Sequence, residues 1–133
     1  MTSCRQILVV RREVRRMFEI RGRRIRVSRG DTGTLVASAR GVTLGEADRV
    51  LLTVRGEDGA AVIEKVETPD AEGTARFHFV NADTEELEPG GYLWDLRYVL
   101  GATVTDGRVT DGERVVTPFA PSGFEVLEVV GDV

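Results

Sequence analysis

The sequence predicts an all-β fold: an antiparallel β-sandwich of about seven strands carrying a basic N-terminal arm. Three observations predict it. After residue 22 the chain is a series of short runs in which apolar and polar residues alternate, with no sustained 3.6-residue periodicity. Turn signals rich in Gly, Pro and Asp separate these runs at spacings of roughly 8 to 15 residues. Charge is divided along the chain: residues 1 to 29 hold ten arginines against two glutamates, a balance of +8, whereas the other 104 residues hold 8 basic and 20 acidic groups, a balance of −12. A chain of 133 residues closes one hydrophobic core and is too short for two.

Residues 1 to 22 read as the arm and 23 to 133 as the sandwich domain. In the arm, Ile7, Val10, Val14 and Met17 fall at helical spacing, while Leu8, Val10, Val14, Phe18 and Ile20 share one face of a strand, so the periodicity leaves both open. Its β-branched residues and the turn Arg21-Gly22-Arg23 lean toward an extended arm that pairs with residues 25 to 27. Ile25 and Val27 alternate with arginines, Arg29-Gly30-Asp31-Thr32 turns the chain, and residues 34 to 39 follow as a strand. Val50, Leu52 and Val54 face inward and Thr53 and Arg55 outward; Glu57-Asp58-Gly59 turns this strand into its partner at 62 to 66. Phe77 and Phe79 are core residues with His78 on the solvent side.

Residues 84 to 99 are the most informative. Glu88-Pro89-Gly90-Gly91 leads into Tyr92, Trp94, Leu96 and Tyr98 on one face of a strand whose other face shows Asp95 and Arg97. A tyrosine opening a strand after a Pro-Gly turn fits a tyrosine corner, in which the phenol hydroxyl bonds backbone a few residues upstream. Asp106-Gly107 and Asp111-Gly112 mark a turn-rich excursion. Pro118 and Pro121 interrupt the last strand, which places it at a sheet edge.

The same composition excludes much chemistry. One cysteine, Cys4, allows no intramolecular disulfide, and with a single histidine 74 positions away no zinc cluster, Cys/His couple or Ser/His/Asp set is supported. No enzymatic activity, cofactor or metal is expected. The longest apolar run near the start, residues 7 to 10, is far short of the roughly 20 residues that span a bilayer, and no export signal is read there. Arg29-Gly30-Asp31 reads as a turn rather than an adhesion tripeptide. Asp83, Glu85, Glu86 and Glu88 read as a solvated acidic turn rather than a calcium loop, because the alternating donor pattern is lacking. Tyr92, Trp94 and Tyr98 read as core rather than as a sugar platform.

Taken in order, Ile25-Arg26-Val27-Ser28-Arg29-Gly30-Asp31-Thr32, the strand near Val50, Val62-Ile63-Glu64-Lys65, Leu87-Glu88-Pro89-Gly90-Gly91-Tyr92-Leu93-Trp94-Asp95-Leu96 and Gly123-Phe124-Glu125-Val126 resemble the N-terminal domain of phage upper-baseplate proteins. The likeness covers residues 25 to 130; the arginine-rich arm and the excursion from 101 to 112 depart from it. It implies an immunoglobulin-like β-sandwich, a protein-protein assembly module of a phage or prophage tail or baseplate, made in the bacterial cytoplasm and located in the virion, with no catalytic residues. The expected partners are further copies of the chain and neighbouring tail or baseplate proteins; a module binding a host-surface glycan or protein is the alternative. The expected interface residues are Ile7, Val9, Arg11, Arg12, Arg15, Arg16 and Phe18. Nucleic acid is not an expected partner, because the arm offers only Phe18 for stacking and the body is acidic.

Overall fold

The computed structural model describes residues 6–11, 18–39 and 44–128. The chain forms β1 (Gln6–Arg11), β2 (Phe18–Arg21), β3 (Arg24–Ser28), β4 (Gly33–Ala39), β5 (Arg49–Arg55), β6 (Ala61–Glu67) and β7 (Thr74–Phe79). A four-residue helix, α1 (Asn81–Thr84), precedes β8 (Gly90–Leu100), β9 (Thr103–Thr105), β10 (Arg108–Asp111), β11 (Arg114–Val116) and β12 (Ser122–Leu127). The fold is all-β, as expected from the alternation. Among the described residues no helix is long and apolar enough to cross a membrane.

The strands divide into two main sheets. A smaller one has the order β1-β4-β7; a larger one has the order β2-β3-β12-β8-β5-β6, with β11 paired to the far half of β8. Alternation decides which side of each strand is buried. Leu35, Ala37, Ala75, Phe77 and Phe79 come from the smaller sheet, and Ile25, Val27, Val50, Leu52, Val54, Trp94, Leu96, Phe124 and Val126 from the larger, all in one core. Phe79 joins the layers, its ring lying 5.4 Å from that of Phe18 and 6.0 Å from that of Phe124. Gly33 is required for this contact: a Cβ there would lie 2.3 Å from the Phe18 ring.

Four sequence expectations change. The larger sheet is mixed rather than wholly antiparallel, because β12 pairs parallel to β3, with Phe124 opposite Ile25. Such a pairing needs a long crossover, which the chain between the two strands supplies. Second, β12 is interior, between β3 and β8. Pro118 and Pro121 precede its first residue, so no ladder hydrogen bond is lost to them. Third, the boundary expected after residue 22 falls within the β2–β3 turn: β1 is paired to β4, and Phe18 and Ile20 of β2 are core residues. Residues 6–11 and 18–21 are thus strands of the two sheets, not an appendage. Fourth, the excursion after β8 contains a hairpin, β9–β10, turned by Asp106 (φ 52°) and Gly107 (φ 78°), the positive-φ pair that a two-residue hairpin loop demands.

Candidate interaction surface

The residues expected to form an interface are scattered by the fold. Ile7, Val9 and Arg11 lie in β1, opposite Ser38, Val36 and Thr34 of β4. Arg12, Arg15 and Arg16 fall outside the described residues. Phe18 is a correction: it is 1% exposed and packs on Phe79, so it serves the chain's own core and leaves no surface for a partner.

Several arginines of β2, β3 and the turns beside them are also engaged within the domain. Arg21 pairs with Glu19 at 3.3 Å, Arg26 with Glu125 at 3.1 Å and with Glu19 at 3.9 Å, and Arg29 with Glu128 at 2.9 Å. Arg23 lies over the Phe119 ring, 4.8 Å from its centroid. Such exposed pairs contribute little to stability, but they neutralise part of the basic charge locally. The Arg29-Gly30-Asp31 tripeptide is held as a turn: the Asp31 amide donates to Ser28, the Gly30 amide to Thr84 Oγ1 at 2.8 Å, and Asn81 Nδ2 to the Gly30 carbonyl at 2.9 Å.

Where β8 begins, the Tyr92 hydroxyl donates to the Glu88 carbonyl at 2.6 Å, closing the corner that the Pro-Gly-Gly-Tyr order predicts. Two residues on, the Trp94 indole N–H donates to the Arg23 carbonyl at 2.7 Å and its ring meets Phe119 edge-on at 5.3 Å. Trp94 and Tyr98 are buried, so these aromatics do not form an open sugar platform. Burial pushes the Tyr98 phenol up to about 12, and its hydroxyl has no hydrogen-bond partner among the described residues.

Among the described residues, shallow clefts open on the surface. One, of about 350 Å³, lies between Leu51, Thr53, Glu64 and Val66 on the outer side of β5–β6 and Gly107, Arg108 and Val109 of the hairpin. Another, of about 500 Å³, is lined by Glu57, Asp58, Glu88 and Tyr92. The acidic turn is less solvated than its composition suggests, since Asp83 pairs with Lys65 at 2.9 Å and accepts the Val80 amide. At the surface, the Thr74 amide and then the Arg76 guanidinium hold the Asp70 carboxyl below its ordinary range. Among the described residues no group of His, Cys, Asp and Glu side chains converges as a metal centre needs.

The outer side of β8 departs from expectation. Asp95, read as a solvent-facing residue, is 8% exposed, and its Oδ1 accepts no hydrogen bond from the described residues. It sits opposite Thr53, itself 9% exposed. Arg97 beside it is exposed and makes no hydrogen bond or ion pair with the described residues. Leu93 is 51% exposed on the same side, and Val115 of β11, opposite Val99, is 55% exposed. The sequence places Leu93, Asp95 and Arg97 on one strand face; it gave no signal that one charge would be buried and the other left alone.

Comparison with known proteins adds no relative: no protein-family model and no curated protein matches the chain.

Proposed function

We propose that this chain is an immunoglobulin-like structural module that assembles phage or prophage tail or baseplate proteins, without catalytic activity of its own. The observation that carries the fold half of this reading is the strand order. In the larger sheet β12-β8-β5-β6 follows the G-F-C-C′ order of variable-type immunoglobulin domains, and Tyr92 occupies the tyrosine-corner position at the start of the F-like strand. The function half rests on the resemblance of residues 25 to 130 to the upper-baseplate domain. Folds of this class host many activities, so the particle itself is the test.

Purified tail or tail-like particles from the bacterium that encodes the chain should contain it in fixed proportion to the other tail proteins by quantitative mass spectrometry. Particles complete in those proteins but lacking this chain would overturn the reading. The glycan-binding alternative gains nothing from the aromatic residues, because two of the three are core and the third has its hydroxyl engaged by Glu88.

A further inference from the structure

The edges of the two main sheets are not guarded alike. A strand at a sheet edge presents unpaired N–H and C=O groups, which charge, shortness, a bulge or a covering segment ordinarily protects from pairing with another chain. In the larger sheet β2 has four residues and carries Glu19 and Arg21, and β11, on the far half of β8, has three. At the opposite end β6 is irregular against β5 between Val54 and Arg55. Its Lys65 ammonium lies 5.4 Å from the centre of the Phe79 ring and is held at 2.9 Å by Asp83 of α1. In the smaller sheet β7 exposes Arg76 and His78.

At the other edge of the smaller sheet, β1 has no such guard. It runs for six residues in unbroken register along β4 and pairs with no other described strand. From Ile7 to Val10 it has neither a charge nor a proline. We propose that the free edge of β1 pairs antiparallel with β1 of a second copy of the chain, joining the two smaller sheets into one of six strands about a two-fold axis. The inference deepens the assembly reading by naming one partner for it.

Symmetry and charge fix the register. Residues directly opposite in an antiparallel pair share a face, so the axis must pass at a residue rather than between two. The registers that overlap most of β1 centre on Leu8 or on Val9. Centring on Leu8 would carry Arg11 to the arginine at position 5 of the second copy, like charge against like. Centring on Val9 sets Arg11 opposite Ile7, Leu8 opposite Val10 and Val9 opposite itself, so charge selects it. The neighbouring strand fits the same register. Val9 stands opposite Val36 of β4, so the junction carries an apolar row of Val36, Val9, Val9 and Val36. Leu8 and Val10 stand opposite Ala37 and Leu35, both core residues, so on the other face each Leu8–Val10 pair continues the apolar pattern of the cores. Each strand thus supplies the complement of the other, which is why a second copy is the occupant. The pairing is isologous, satisfies both free edges at once and closes as a dimer.

Sedimentation equilibrium of the full chain, with circular dichroism to verify folding, tests the pairing. The parent should dimerise. Val9→Lys and Val9→Glu should each weaken the dimer at least about tenfold, because each sets like charges opposite one another across the axis. Mixed in equal amounts, the two variants should associate again as a one-to-one heterodimer, as a pairing of position 9 with itself requires. Should either variant fail to fold, oxidation of the double variant Cys4→Ser, Val9→Cys carries the test. Directly opposed Cβ atoms lie about 4.5–5.5 Å apart, so a disulfide-linked dimer should form. Cys4→Ser, Val36→Cys should not crosslink, since Val36 is three strand spacings from its counterpart, roughly 14 Å. A parent that is monomeric at high micromolar concentration overturns the inference. So does a dimer unchanged by the substitutions at Val9, and so does a dimer weakened by both that their mixture does not restore. In each of these cases the particle composition still decides the assembly reading separately.

Discussion

The start of β8 and the β9–β10 hairpin beyond its end are made of similar strand-forming residues and meet opposite fates. At the Gly90 end, Tyr92 is tied to Glu88 and Trp94 to Arg23, with Phe119 packed on the indole. Beyond the Leu100 end, Thr103, Val104 and Thr105 pair only with β10 in a two-stranded hairpin whose residues are almost all exposed. A hairpin of two strands is marginal by itself, because it has no second layer to bury a face against. The difference teaches that β propensity sets where strands form, whereas a facing layer decides which of them hold the fold together.

The largest break in this contrast should come from Trp94→Ala. It removes a fully buried ring and its bond to the Arg23 carbonyl, and should cost about 3–5 kcal/mol in denaturant unfolding. A loss under about 1 kcal/mol would mean that the Gly90 end is no better anchored than the hairpin. Tyr92→Phe is the finer probe of the same end. It keeps the ring and leaves the Glu88 carbonyl to water, so a loss of about 1 kcal/mol is expected, and an unchanged midpoint would refute the anchoring role of the corner.

Tyr98 sharpens the contrast on the buried side of the Leu100 end. Its phenol is neutral in both folded and unfolded chains below about pH 10. Above that the unfolded chain ionises first, because the folded value is raised to about 12, so stability should fall as pH rises from about 10 toward 12. Tyr98→Phe should flatten this alkaline fall and change stability at pH 7 by less than about 1 kcal/mol, since the lost hydroxyl has no partner among the described residues. An alkaline limb identical to the parent's would mean that another group governs it. The smallest effect should follow from replacing residues 103 to 111 by a short glycine-rich link, within about 0.5 kcal/mol of the parent. A drop as large as that of Tyr92→Phe would show the hairpin supporting the sheet after all.

Much of the fold was legible because alternation with period two states directly which residues share a face. Val50, Leu52 and Val54, Phe77 and Phe79, and Trp94 with Leu96 are core as read, and the Asp58-Gly59 and Asp106-Gly107 signals fall at turns. The extended reading of residues 18 to 21 was favoured by the turn at Gly22, whose φ of 62° a glycine supplies at little cost. The candidate surface was less legible. Phe18 looked like part of an arm because nothing local says that Phe79, 61 positions later, will lie against it.

The sequence by itself therefore determined the class of fold, the strand faces and the turns, since each depends on residues within one or two positions of each other. Only the tertiary structure decided that β12 enters the sheet parallel to β3, that Phe18 is core, and that Asp95 is buried while Arg97 is not. The physical reason is one of range. A side chain's outward or inward direction is set by the pleat, but its burial and its partners are set by strands distant in sequence, which the pleat does not encode.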